Sequence, residues 1–224
     1  MFSFWFSNPN LDVYTVTAKL IAFIIVIFWF LPMREVIRLW VASLLNNREF
    51  NFKSVNLYSF FDPFGAFCML LFQYGWCRPS NAFTMVSSKR DKILLAISGS
   101  VFNFLSALCM GICYTTTQVV ASILGLGFLS WIATIFVVIL NLNIVLAVFN
   151  LIPVPPLDGF KILEAFIPQK YIKKYYQNYF FINLSLVILM FLGVFNGPLN
   201  FLENKLRDAV LMVSSLPFIF LRRL

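Results

Sequence analysis

The sequence contains no histidine and carries little charge. Charged residues make up 12% of its 224 residues, against an apolar fraction of 61%. A soluble domain is about one quarter charged, and a disordered chain has low hydrophobicity, so this composition excludes both classes. The absence of histidine removes the commonest metal ligand and the usual general base near neutral pH. The composition therefore predicts a protein that crosses the membrane several times.

The basic residues predict the orientation of the chain in the membrane. The net charge is +8, but no basic stripe with interleaved aromatics lies outside the apolar segments, so we expect the lipid bilayer and not a nucleic acid as a partner. Ten Lys and Arg residues lie in 46–92 and 158–174, against Lys19, Lys205 and Arg207 on the other side. We therefore expect those two loops in the cytoplasm and the N-terminus outside. Residues 1–10 lack the pattern of a cleavable signal peptide.

Uncharged runs predict an all-α polytopic fold in a single membrane domain over 1–224. A span needs about 20 apolar residues. The predicted segments are a first core helix over 16–45, a membrane-associated hairpin or re-entrant region over 46–92, a second core helix over 93–116, a third over 127–152, a fourth span over 175–202 and a short fifth segment over 209–221. Within 46–92, alternating apolar and polar residues predict a short strand over 50–58.

Two sites interrupt the apolar pattern. The first helix contains Arg34-Glu35-Val36-Ile37-Arg38, and the third helix ends in a loop over 150–159 that contains Asn150, Pro153 and Asp158. A charged side chain inside a membrane carries a high desolvation free energy, so each one is a candidate functional residue. In the predicted topology both sites lie at the same membrane face, so we expect them to meet.

The loop over 150–159 resembles the N-x-x-P-x-x-x-L-D-G motif of the site-2 proteases, the M50-type intramembrane zinc metalloproteases. Three further stretches match in order: 62–65 resembles D-P-x-G, 75–79 resembles G-W-x-x-P, and 89–103 resembles a segment with R-R-D and A-G-P-x-x-N. The resemblance covers about residues 23–167. It implies a core of three transmembrane helices with a small β-hairpin or re-entrant region and one or two C-terminal membrane helices.

The resemblance also implies a degenerate active site. The two zinc-ligand histidines of the family align with Arg34 and Arg38, the catalytic glutamate with Glu35, and the third ligand with Asp158. A guanidinium has no lone pair to give to a metal and stays protonated in proteins. The sequence places no cysteine beside Glu35. We therefore expect no active catalytic residue, no metal site and no cofactor, with the family's zinc lost.

The charges at this site sum to zero and admit two arrangements. In one, Arg34 or Arg38 pairs with Asp158 and connects the first and third core helices. In the other, both arginines extend to the cytoplasmic interface and touch neither carboxylate. The resemblance further implies Asn150, Pro153 and Asn103 as substrate- or partner-binding residues; alternatively, Asn150 caps the end of its helix before the prolines.

The function predicted from these residues is that of a proteolytically inactive homologue. Its groove would bind or regulate a membrane protein or peptide segment, and a sheet edge at 50–58 would allow strand addition. An active hydrolase with a rebuilt site is the alternative, although no nucleophile is visibly paired with a base. A small transporter is a third hypothesis, against which the sequence shows no inverted repeats.

Overall fold

The computed structural model describes residues 13–221, and every regular element in that range is helical. The expectation about a signal peptide over 1–10 lies outside the described residues. In chain order the α-helices are α1 (Val13–Ile25), α2 (Leu31–Leu45), α3 (Pro63–Phe72), α4 (Lys89–Leu124), α5 (Gly127–Phe149), α6 (Asp158–Glu164), α7 (Gln169–Gln177), α8 (Tyr179–Phe191) and α9 (Asn196–Leu221).

Three helices are long and apolar enough to span a membrane. They are the continuous helix Val13–Leu45, which combines α1 and α2, together with α4 and α5. The pair α8 and α9 forms a fourth span if it is counted as a single bent crossing. These lengths confirm the prediction of an all-helical protein that crosses the membrane several times.

The first span contains a π-helical turn over Val26–Phe30 just before Pro32. Proline has no backbone N–H and disturbs the carbonyl one turn earlier, and a π-turn is a local adjustment that lets a helix continue. On the N-terminal side of the π-helical turn, Ala18 and Ala22 are fully buried in one cluster with Val138 and Ile139 of α5. Small side chains allow close approach of two membrane helices. The first span therefore packs directly against α5, whose C-terminal end leads to Asp158.

The second span is longer than the prediction of 93–116. Ser88 caps α4 by accepting a hydrogen bond from the Asp91 amide at 3.0 Å. The helix continues past residue 116, and the side chains of Thr116 and Thr117 within it each donate to the carbonyl four residues earlier at 2.7 Å. The helix ends at Gly125, which adopts the left-handed conformation with φ of 65°.

The strand predicted over residues 50–58 is wrong. The structure forms two 3₁₀ turns there, Phe52–Ser54 and Leu57–Phe60. The side chains of Asn51 and Asn56 accept hydrogen bonds from backbone amides two residues on, at 3.0 and 3.1 Å. Such asparagine turns compete with extended structure. No strand is described between residues 13 and 221, so the fold offers no sheet edge in that range.

The region predicted to be re-entrant contains the ten-residue apolar helix α3. Asp62 caps it by accepting from the amides of Phe64 and Gly65 at 3.0 and 3.3 Å. Gly65 and Gly75 lie against each other, since a Cβ at Gly75 would be 2.6 Å from the Gly65 carbonyl oxygen. The D-P-x-G and G-W-x-x-P stretches thus form one close-packed turn, which fixes the following segment against α2.

The C-terminal segment is divided differently from the prediction of one span over 175–202. Helices α8 and α9 are bent by 73° at a short break, where Gly193 has a φ of 70°. The segment predicted over 209–221 is the C-terminal half of α9, which is 26 residues long. Helix α9 packs on α4 through Gly111, where a Cβ would lie 2.5 Å from the Ser214 hydroxyl.

Candidate functional site

Four charged side chains meet between α2 and α6 and form the charge cluster: Arg34, Glu35, Arg38 and Asp158. Arg34 and Arg38 are four residues apart and therefore share one face of α2, while Asp158 is the first residue of α6. The exposed fractions of the four residues are 2%, 1%, 1% and 3%. The two sites that interrupt the apolar pattern of the sequence therefore come together in a buried position.

Arg38 is the centre of the charge cluster. Its guanidinium pairs closely with Glu35, and its Nη2 lies 2.6 Å from Oδ2 of Asp158. This second contact is a close ion pair without the alignment of a hydrogen bond, since neither atom has a hydrogen-bond partner. Nε of Arg38 donates to the carbonyl of Leu95 in α4 at 3.3 Å. One side chain thus joins three helices by charge and hydrogen bonding.

Arg34 is equally buried but much less well paired. Its nearest carboxylate oxygens, on Glu35 and Asp158, are 3.9 and 4.0 Å away, and its Nε and Nη1 have no hydrogen-bond partner. Because both arginines are almost fully buried, the alternative in which they extend to the membrane interface does not hold. The two residues, equivalent in the sequence, have different surroundings in the structure.

Both oxygens of Glu35 are occupied. Oε1 pairs with Arg38, and Oε2 accepts a hydrogen bond from the Ser80 amide at 2.8 Å. A general base needs a free oxygen within hydrogen-bond reach of the proton that it removes. In this arrangement the carboxylate instead holds the segment after α3 against α2.

Cys77 corrects the expectation that no cysteine lies beside Glu35. Its Sγ is 3.8 Å from Oε1 of Glu35 and donates to the carbonyl of Leu31 at 3.3 Å. Burial, and then the charge of Glu35, raises the pKa of the Cys77 thiol to about 12. In this arrangement the thiol therefore stays protonated at neutral pH, which makes it a weak nucleophile.

Gly99 of α4 closes the third side of the cluster. A Cβ at this position would lie 2.7 Å from Nη2 of Arg38 and 3.0 Å from Oδ2 of Asp158. Only a glycine lets the backbone of α4 approach this closely. Gly99 is therefore part of the site through its lack of a side chain.

The loop before α6 positions Asp158. Nδ2 of Asn150 donates to the Leu146 carbonyl at 2.7 Å, and its backbone carbonyl accepts from the Gly159 amide at 2.8 Å. This is the capping arrangement considered for Asn150. Asn150 and Asn103 have no exposed surface, and the Asn103 amide has no hydrogen-bond partner, whereas Pro153 is exposed.

A cavity opens beside the cluster, and we call it the mouth cavity. Its volume is about 370 Å³ and it is lined by Pro79, Pro155, Pro156, Phe160, Lys161 and Tyr176. Pro79 precedes the residue whose amide binds Glu35, and Phe160 follows Asp158 by two positions. The mouth cavity therefore lies next to the buried charges and has the size of a ligand-binding site.

Sequence reasoning missed Cys77, Ser80 and the lining of the mouth cavity. The G-W-x-x-P stretch over 75–79 contains Cys77 and Pro79, and the glycine of the 89–103 segment is Gly99. Both stretches were identified as motifs, but the contacts of their members depend on packing. The sequence signal that could have found these residues is that both stretches belong to the same family pattern as the charged motifs.

Comparison with known proteins agrees with the motifs. The model of Peptidase family M50 matches residues 126–192, which contain α5, the loop and Asp158 but not the arginine-bearing helix. A Bacillus subtilis (strain 168) protein named "Putative zinc metalloprotease YwhC" is 29% identical over 164 residues, which cover 70% of this chain and 73% of that protein. No solved structure matches the chain.

These comparisons contradict the expectation that the chain has no cofactor, since the relative is named as a zinc metalloprotease and the family consists of such enzymes. The side chains found at the site do not fit zinc as they are placed. Arginine supplies no lone pair, and the described residues contain no group of three or more His, Cys, Asp or Glu side chains that could hold a metal ion. The chemistry of the site is therefore derived from its side chains alone.

The matched family model, the relative and the ordered motifs agree: this chain is similar to the M50 peptidases, the site-2 protease family, and it has arginine at the two positions that resemble the family's zinc-ligand histidines.

Proposed function

We propose that this chain is a proteolytically inactive member of its family that binds or regulates a membrane protein or peptide segment. The observation that carries the proposal is the pairing within the charge cluster. Arg38 contacts both carboxylates, and the second oxygen of Glu35 is held by the Ser80 amide. The glutamate that would activate water in a family protease is engaged in a structural contact.

The charge cluster also connects the segments that form the mouth cavity. Ser80 fixes the position of Pro79, and Asp158 fixes the start of α6, which carries Phe160 and Lys161. A cavity with rigid apolar walls and a few polar groups suits an extended peptide segment. In this proposal the ion pairs retain the architecture of the groove and the cavity holds the partner.

Lys161 supplies the charge at the edge of the mouth cavity. Burial lowers the pKa of its amine, but hydrogen bonds to Tyr176 at 2.6 Å and to Glu164 at 2.9 Å outweigh burial, and the net pKa is raised. The amine therefore stays charged at neutral pH. Its positive charge favours a partner segment with an acidic or carbonyl group at this point.

The proposal places 46–92 and 158–174 in the cytoplasm and the N-terminus outside. The mouth cavity takes residues from both loops, which supports a common side for them. Their excess of basic residues favours the cytoplasmic side. Labelling of R48C in inverted vesicles, compared with intact cells, measures this orientation.

Two measurements on the full chain in liposomes test the function. The first is cleavage of fluorogenic single-span peptides by the wild-type protein and by Glu35→Gln. The second is cross-linking from a photoreactive residue placed at Pro156, in the mouth cavity, or at the exposed Phe166 outside it. We expect no cleavage by either protein, and cross-links to a membrane segment only from position 156.

The control position decides the meaning of a cross-link. Equal yields from 156 and 166 would show random collision and contradict binding in the cavity. Cleavage by wild type that Glu35→Gln abolishes would show that Glu35 acts as a base and would refute the inactive assignment.

A further inference from the structure

A second cavity, remote from the charge cluster in sequence and here called the polar cavity, lies between the end of α3 and the first two turns of α9. Its volume is about 70 Å³ and its lining includes five polar side chains: Gln73, Tyr74, Asn196, Asn200 and Glu203. Nothing in the proposed function uses these residues. A concentration of polar groups in so apolar a chain is by default a hypothesis of function.

The chemistry of the lining is that of oxygen ligands. Glu203 offers a carboxylate, and the three amide side chains offer carbonyl oxygens. The Tyr74 hydroxyl donates to Oδ1 of Asn196 at 3.4 Å, so its proton is engaged while its lone pairs remain free. Burial, followed by the charge of Glu203, raises the pKa of Tyr74 to about 12, which keeps the phenol neutral. Hard cations prefer such oxygen sets.

Glu203 has no cationic side chain within salt-bridge distance among the described residues. Arg207, one turn further along α9, acts on Glu203 only through its longer-range charge, since its Nε lies 3.5 Å from Asp208, and Nζ of Lys205 lies 4.8 Å from the centre of the Phe201 ring. A carboxylate in a membrane helix without a close ion pair is costly. Glu203 is the single acidic side chain in the lining of the polar cavity, and that lining includes no basic side chain.

The size of the polar cavity restricts its occupant. Its volume exceeds the roughly 10–15 Å³ that one water needs but is far below the roughly 300 Å³ of small-molecule pockets. An organic ligand does not fit, whereas a small ion with residual water does. A divalent cation would leave an excess positive charge, and a monovalent cation balances one carboxylate.

We propose that the polar cavity binds one monovalent alkali cation, Na⁺ or K⁺, held by the Glu203 carboxylate together with side-chain oxygens of Gln73, Asn196 and Asn200. The ion would join the segment after α3 to the start of α9. Its effect would be to fix the bent α8–α9 pair against the core, independently of whether the charge cluster is catalytic.

The test is thermal unfolding of the full chain in detergent. NaCl or KCl replaces choline chloride at constant ionic strength, so that general screening is held fixed. A ligand that binds only the folded state raises the unfolding temperature with its concentration, by mass action. We expect Na⁺ or K⁺ to raise the wild-type unfolding temperature and to have no effect on Glu203→Gln.

The matched control is Glu164→Gln, which removes a partly exposed carboxylate outside the polar cavity and should keep the full cation response. Asn200 is exposed, so Asn200→Ala should fold and bind the cation with lower affinity, which guards against a Glu203→Gln protein that fails to fold. Equal unfolding temperatures in choline, Na⁺ and K⁺ for the wild type would overturn the proposal, as would an undiminished response in Glu203→Gln.

Discussion

Replacement of Asp158 by alanine tests the energetic role of the charge cluster most directly. The change leaves Arg34 and Arg38 buried with Glu35 as the sole carboxylate of the cluster. At the 2.6 Å separation of Arg38 and Asp158, Coulomb attraction amounts to about 6 kcal/mol with an effective dielectric constant of about 20. Desolvation of both groups offsets most of this attraction in the intact pair.

The variant does not recover that desolvation, because the arginines stay buried. Loss of one partner from a buried pair typically costs about 3–5 kcal/mol, and we expect Asp158→Ala to lower the free energy of unfolding by that amount. The measurement is reversible unfolding of the detergent-solubilised protein by titrated denaturing detergent, followed by circular dichroism.

Glu164→Ala is the matched control for Asp158→Ala. Glu164 is the last residue of α6, and its pair with Lys161 has side chains that are 26% exposed. Partly exposed pairs contribute at most about 1 kcal/mol. A loss for Asp158→Ala no larger than the loss for Glu164→Ala would refute the reasoning that the cluster is an essential buried ion pair.

Three further predictions concern separate parts of the site and use the same unfolding assay. Arg38→Met should lower the free energy of unfolding by about 3–5 kcal/mol, and Arg34→Met should lower it clearly less. The reason is that Arg38 contacts both carboxylates closely, whereas the ionic contacts of Arg34 are at 3.9 and 4.0 Å. Equal decreases in the two variants would contradict this asymmetry. Gly99→Ala should lower the free energy of unfolding by about 1–3 kcal/mol through overpacking. The control Gly127→Ala should leave it unchanged, because a Cβ at Gly127 would meet nothing within 4 Å. An unchanged stability of Gly99→Ala would show that α4 can move away from the charge cluster. Because the pKa of the Cys77 thiol is raised in the folded state, the unfolded state releases this proton at a lower pH. The free energy of unfolding of the wild type should therefore fall between pH 9 and about 12, by up to about 1.4 kcal/mol per pH unit, and should fall less steeply in Cys77→Ser. Parallel pH profiles of the two proteins would exclude a buried neutral thiol.

The helical fold could be predicted where the sequence pattern is long. Long uncharged runs favour membrane-spanning helices, because backbone groups in lipid must be paired within the segment, and Val13–Leu45, α4 and α5 are helices of this kind. Short segments were less certain. Over residues 50–58 the alternation favoured a strand, but the asparagines formed local turns, whose hydrogen bonds do not show in a pattern of hydrophobicity.

The C-terminal helices show the same limit. The bend between α8 and α9 lies at the left-handed Gly193, and α9 packs closely against Gly111 of α4. The charged residues between 202 and 209 favoured a break between two segments, but they lie within the continuous helix α9. Helix ends are decided by contacts that the sequence pattern does not contain.

For the site, the sequence by itself determined which charges are present. The spacing of four places Arg34 and Arg38 on one helix face, and the four charges sum to zero whatever the fold. Only the tertiary structure decided which arginine pairs with the carboxylates, and that Cys77, Ser80 and Gly99 surround them. Those contacts join residues more than 40 positions apart, and they depend on how closely the backbones pack, since a Cβ at Gly99 would lie only 2.7 Å from Nη2 of Arg38. The sequence sets the charges and the faces, whereas packing sets the distances, and ion pairs in a buried site depend on distance.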